Sequence, residues 1–175
     1  MKIKKSELIL NSDGSVYHLN LKPEHISDTI LFVGDQDRVE KITKHFENIE
    51  FSIQKREFKT QTGTYKGKRI TVLSTGIGTG NIDIVLNELD ALVNIDLEKR
   101  TLKEHPKSLK IIRIGTSGSL QSNIPVDSFV ISTHALDLNG MLHFYKIDGI
   151  TNPLLEEAFI NHTQWSSNKA KPIVI

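Results

Sequence analysis

Two rhythms of apolar residues run along this chain. The run Ile30-Leu31-Phe32-Val33 is continuously apolar, as in a strand covered on both faces, and Val39, Ile42 and Phe46 follow at spacings of three and four. That spacing predicts one face of a helix opening near Asp35. Residues 49–64 alternate around Phe51, Ile53 and Phe58 and predict an extended strand, which Lys66-Gly67 turns into another over residues 69–73. A glycine-rich turn, Ser74-Thr75-Gly76-Ile77-Gly78-Thr79-Gly80-Asn81, then leads into Ile82, Val85, Leu86, Leu89, Leu92 and Val93, whose offsets describe an amphipathic helix. Further strands are expected at Ile111-Ile112-Arg113-Ile114 and Phe129-Val130-Ile131, with a turn at Asn139-Gly140 and a short helix over residues 153–159.

Strands alternating with helices argue for an α/β fold, a twisted mixed sheet flanked by helices in a single domain over residues 1–175. The first 28 residues carry isolated turn signals and read as a lead-in arm with little core of its own, and residues 96–110 as a solvated helix tail and loop. Pro172-Ile173-Val174-Ile175 reads as a strand with no polar tail after it, so the domain is expected to be incomplete at its C-terminus. No internal repeat or low-complexity tract interrupts the pattern.

Composition narrows the function classes. With 22 basic against 21 acidic side chains and a net charge of +1, no field of one sign spans the surface to recruit nucleic acid or an anionic membrane, so any anion site is local. The chain has no cysteine, which removes disulfides and thiolate chemistry, and its basic start lacks the apolar stretch of a secretory signal. A cytoplasmic protein is the expectation. The seven histidines show no metal-ligand spacing, so no metal is expected. There is no G-x-S-x-G elbow, and Gly76, Gly78 and Gly80 lack the further-spaced glycine of a dinucleotide fingerprint.

The candidate chemistry lies at two strand ends. Ile30 to Val33 breaks into Gly34-Asp35-Gln36-Asp37-Arg38, and the second run, broken by Arg113, into Gly115-Thr116-Ser117-Gly118. Each offers a glycine, which frees backbone amides, and a guanidinium. Ligands of open α/β sheets bind beyond the carboxyl ends of strands, where such turns present N–H groups to anions. Bland readings stand beside this one. Arg113 also suits a pair with a carboxylate, Arg38 a solvated charge near Asp35 or Glu40, Arg56 an edge-strand charge run with Lys55, Glu57 and Lys59, and His18 a surface histidine.

The ordered series Tyr17-His18-Leu19, Gly34-Asp35-Gln36-Asp37-Arg38-Val39-Glu40-Lys41-Ile42, Arg56-Glu57-Phe58, Ser74-Thr75-Gly76-Ile77-Gly78 and Arg113-Ile114-Gly115-Thr116-Ser117-Gly118 resembles the uridine phosphorylase branch of the nucleoside phosphorylases, in its amino-terminal portion. The resemblance implies phosphate-dependent cleavage of the N-glycosidic bond of a nucleoside, pyrimidine by preference, giving a free base and ribose 1-phosphate: a pentosyltransferase with inorganic phosphate as co-substrate and no cofactor. It implies phosphate binding by Gly34, Arg38, Arg113 and Thr116, with Arg38 and Arg113 the catalytic pair and Arg56 reaching in from a neighbouring subunit. His18, also from the neighbour, would touch the sugar 5′-hydroxyl, and Ser117 and Gly118 would lie near sugar and base. Shared sites imply a homo-oligomer, at least a dimer.

Two positions depart from the family pattern. Gln36 replaces a proline, and Asn81 a serine that in some relatives completes, with Glu57 and Ile77, a monovalent-cation site. The family segment that recognises base and ribose hydroxyls follows the part matched here, so the 175-residue chain alone is expected to be inactive. The alternatives are a purine nucleoside phosphorylase, a nucleosidase of the same superfamily using water, and a non-catalytic phosphate- or partner-binding remnant.

Overall fold

The computed structural model describes residues 2–175, which fall into two compact units, one ending at Ser117 and the other running from Gly118 to Ile175. The first unit is built on a five-stranded mixed sheet in the order β2-β3-β4-β1-β7. Its strands are β1 (Thr29–Val33), β2 (Asn48–Lys55), β3 (Phe58–Tyr65), β4 (Lys68–Ser74) and β7 (Lys110–Arg113). β1 lies parallel to both β4 and β7, whereas β2, β3 and β4 form an antiparallel meander. Helix α1 (Asp37–Thr43) follows β1, and α2 (Thr79–Asn94) follows β4.

Alternation along β1 divides the core between the two faces of the sheet. Ile30 and Phe32 join Leu73 against Val85, Leu89 and Leu92 of α2, all of them buried, while Val33 packs with Val39 of α1 and Val72 of β4. The apolar stripe of α2 is as its periodicity indicated except for Leu86, which is exposed. The lead-in differs from expectation: Val16, Leu19, Leu21 and Ile26 are buried in the main cluster, so residues before β1 supply one wall of the core. Their signal was weak because they sit among turns and follow neither period.

Two further local differences have physical reasons. The single strand expected over residues 49–64 is a hairpin whose two-residue turn, Arg56-Glu57, carries no glycine; Arg56 adopts φ +56 itself. Residues 96–110 include a short antiparallel pair, β5 (Ile95–Asp96) and β6 (Thr101–Leu102), closed by Arg100 at φ +59. Arg100 also donates from its side chain to the carbonyls of Ile3 and Lys4 at 3.1 and 2.9 Å, tying down the start of the chain.

In the second unit, β8 (Leu136–Asp137) pairs antiparallel with β9 (Ile173–Val174), and α3 (Pro153–Thr163) opens with the Asn152 side chain accepting from the Leu155 amide at 3.2 Å. The terminal strand and the helix are present as expected, but Phe129-Val130-Ile131 is not a strand: among the described residues no strand pairs with it, and all three side chains are exposed. The organising polar group is Glu156 on α3. It is buried, accepts from Lys171 Nζ at 2.9 Å and from the Val174 amide at 3.1 Å, and so joins helix to strand. The Lys171 hydrogen bond and the Val174 amide outweigh burial, holding its carboxyl below the usual glutamate value.

Stability should follow these contacts. Leu89→Ala is expected to cost about 2–5 kcal/mol and the exposed Leu86→Ala much less, read as midpoint shifts in denaturant titrations. Because the folded Glu156 carboxyl titrates below its unfolded value, its contribution is complete above the unfolded value and is lost as pH falls through the folded one. Glu156→Gln should therefore destabilise the second unit at neutral pH and diminish its further loss of stability in acid, measured by melting at a series of pH values.

Candidate functional site

Parallel pairing brings the carboxyl ends of β4, β1 and β7 to one edge of the sheet. Val33 stands opposite Ser74, and Phe32 opposite Arg113. Two backbone bonds continue the ladder just past the strands, from the Thr75 amide to the Val33 carbonyl and from the Ile114 amide to the Phe32 carbonyl, both 2.8 Å. The three turns that follow therefore leave the sheet side by side. They line an open concavity of about 740 Å³, with Gly34, Asp35 and Gln36 from the first, Gly76 and Ile77 from the second, and Gly115 and Thr116 from the third. Arg38, Glu57, Asn81 and Arg113 complete the lining.

The two guanidinium groups share this concavity. Arg113 closes β7 with its side chain beside two glycines: a Cβ on Gly34 would lie 3.9 Å from Nη2, and a Cβ on Gly115 would lie 2.8 Å from Nη1. At Gly115 the missing side chain is what gives the guanidinium its room. Arg38, in the first turn of α1, donates from Nη2 to Thr116 Oγ1 at 3.3 Å. Among the described residues neither arginine forms a salt bridge. Glu40 pairs with Lys59 at 2.5 Å, and Asp35 accepts from the Asp37 amide at 3.0 Å. The concavity thus holds two guanidinium groups outside any ion pair and a threonine hydroxyl, donors suited to a tetrahedral oxyanion, with the carboxylates of Asp35 and Glu57 also in its lining. Gly76, at φ +67, is required twice over, since a Cβ would come within 2.7 Å of Asn81 Nδ2 and 2.8 Å of Glu57 Cγ.

Other expected residues lie elsewhere in the chain. Arg56 is exposed at the β2–β3 turn, its guanidinium carbon 6.0 Å from the Tyr17 ring centre and its carbonyl accepting from Gln36 Nε2 at 2.8 Å. Gln36 in turn accepts from Gln54 Nε2 at 2.7 Å, so this residue ties the first turn to the hairpin, which a proline there could not do. His18 is half-buried against α2, its Nδ1 2.7 Å from Glu88 Oε1. Ser117 ends the first unit and Gly118 begins the second. Sequence reasoning passed over Glu88 altogether. Its signal was an acid placed three residues after Val85 and four before Leu92, on the stripe that α2 buries.

The sequence pattern of the Phosphorylase superfamily matches residues 28–169. A uridine phosphorylase from Thermococcus kodakarensis is 32% identical over 139 residues, covering 79% of this chain and 45% of that protein. A DeoD-type purine nucleoside phosphorylase from Streptococcus suis is 33% identical over 148 residues, 81% of this chain and 57% of that protein. In structure, the chain is similar to a Trypanosoma brucei nucleoside phosphorylase described as showing uridine phosphorylase activity, with a TM-score of 0.82, 32% identity, and coverage of 95% of this chain and 57% of that one. The chain spans about half the length of the relatives it matches. With the pattern matching residues 28–169, most of the chain and part of both units, this chain belongs to the phosphorylase superfamily.

Proposed function

We propose that the whole protein is a nucleoside phosphorylase, a pentosyltransferase that cleaves the N-glycosidic bond with inorganic phosphate. The convergence of Arg38 and Arg113 on one glycine-lined concavity carries this reading. Phosphate would be held by both guanidinium groups, Thr116 Oγ1 and the backbone beside Gly34. One of its oxygens attacks the anomeric carbon as the bond to the base breaks, and the electron pair of that bond leaves with the base. The arginines stay protonated throughout and act by positioning and by neutralising the nucleophile's charge before it reaches the sugar. Water needs no such clamp, so the paired arginines favour phosphorolysis over a nucleosidase reaction.

Similarity to uridine phosphorylases supports a pyrimidine nucleoside as substrate, with the purine enzymes among the relatives marking the second reading. In this proposal Ser117 and Gly118 lie near sugar and base. His18 and Arg56, which stand outside the concavity of their own chain, serve the site of a neighbouring copy in a homo-oligomer of at least two subunits. The family match across both units supports treating residues 1–175 as part of one phosphorylase-like domain. Inorganic phosphate serves as co-substrate and no cofactor takes part. No helix among the described residues is long and apolar enough to cross a membrane. The cysteine-free composition supports a cytoplasmic location.

Calorimetric titration of inorganic phosphate into the chain tests the anion site directly. Arg113→Ala and Arg38→Ala are each expected to weaken binding by about 1.5–3 kcal/mol, the range for hydrogen bonds to charged groups. Gly115→Ala should leave the melting temperature nearly unchanged, because only the flexible Arg113 head stands in the way of the new methyl, yet lower phosphate affinity by pushing that head aside. In the natural gene product, release of uracil from uridine is expected only with phosphate present. Release at the same rate without phosphate would overturn the assignment.

A further inference from the structure

Glu88 is a buried acid on a helix stripe that is otherwise apolar, with its side chain 11% exposed. Such placement is unfavourable unless every acceptor site is used. The lead-in segment uses them. The His18 amide donates to Oε1 at 2.8 Å and to Oε2 at 3.1 Å, and the Leu19 amide donates to Oε2 at 2.8 Å. His18 Nδ1 lies 2.7 Å from Oε1. A carboxylate only accepts, so the proton of this bond resides on Nδ1. In a neutral imidazole the other nitrogen then carries a lone pair, and among the described residues Nε2 has no hydrogen-bond partner.

The ring is also confined mechanically. The Tyr17 and His18 rings meet edge to face at 4.9 Å, and Lys55 Nζ donates to the Tyr17 carbonyl at 2.5 Å. Glu88 itself sits mid-way along a helix of 16 residues whose neighbouring Leu89 and Leu92 are locked in the core. Backbone and side chain of His18 are thus set by one carboxylate on a rigid element. That arrangement orients a group rather than merely covering it.

We propose that Glu88 is a positioning residue that fixes His18 as the Nδ1–H tautomer, so that Nε2 is presented to the substrate sugar as a hydrogen-bond acceptor for a hydroxyl. This rests on the reading above that His18 meets a nucleoside. It adds a selectivity: a hydroxyl donates to Nε2, whereas a phosphate ester at the same carbon brings only acceptor oxygens and negative charge against a lone pair. The site therefore selects nucleosides over their 5′-phosphates.

The test is the protonation pattern of His18 in the ¹⁵N-labelled chain at neutral pH and slightly above. A protonated Nδ1 with an unprotonated Nε2 is expected, and a proton on Nε2 would overturn the proposal. Glu88→Gln has one acceptor oxygen for three donors, and its His18 signals should shift toward the Nε2–H form. An unchanged tautomer in a folded Glu88→Gln protein would equally overturn it, and if that variant does not fold the wild-type spectrum decides alone. In the natural gene product, uridine should perturb Nε2 where 5′-deoxyuridine and uridine 5′-phosphate do not. The substitution should weaken uridine binding roughly five- to tenfold while leaving 5′-deoxyuridine within about twofold, as loss of one hydrogen bond requires. If the tautomer is as stated but no nucleoside perturbs the ring, the nucleoside contact fails and the hold of Glu88 on His18 stands.

Discussion

The parallel pairing of β1 with both β4 and β7 is the constraint from which the rest of the first unit follows. Parallel neighbours point their carboxyl ends the same way, and each must be joined to the next by a crossover that covers a face of the sheet. α2 is the buried element of that kind here, and its apolar stripe makes the main core. Because the crossovers occupy the faces, the turns that start them gather at one edge. Three strands far apart in sequence thereby place a glycine turn each within reach of a common ligand.

At that edge the chemistry is set as much by missing atoms as by present ones. Arg113 has room because residue 115 has no side chain, and the turn after β4 fits against Glu57 and Asn81 because residue 76 has none. Of the carboxylates near the arginines, Glu40 pairs with Lys59 and Asp35 accepts from its own turn, while Glu57 lines the same concavity. Two guanidinium groups outside any ion pair line one concavity on a chain whose net charge is only +1. An anion arriving there exchanges hydration for charge-assisted hydrogen bonds in directions already fixed.

The segment before the sheet has a structural and a chemical part to play at once. Val16, Leu19 and Leu21 fill the core while His18, between them, stays half-exposed. Glu88 reconciles the two by accepting from the backbone of the segment and from the imidazole together. A similar economy operates at the β2–β3 turn, where the Arg56 carbonyl is held by Gln36 and its side chain stays exposed. In both places a side chain proposed to serve a neighbouring copy is fastened through its own backbone, which leaves its polar end available.

Local pattern alone determined a good deal of this protein. The runs at 30–33 and 69–73, the stripe from Val85 to Leu92 and the glycine-arginine pairs after two strands are short-range signals, because burial on a given face imposes a period on neighbouring residues. The α/β class and the candidates Gly34, Arg38, Arg113 and Thr116 were legible for that reason. Tertiary structure decided whatever depends on partners remote in sequence. The Arg56-Glu57 turn has no turn-forming residue and exists because β2 and β3 pair on either side of it. Phe129 to Ile131 has the composition of a strand, and among the described residues no strand pairs with it. Glu88 reads as a flaw in an apolar stripe until the amides of residues 18 and 19, some seventy positions earlier, are seen to need an acceptor there. Periodicity records which face of an element is buried, but the identity of what buries it is a property of the folded chain.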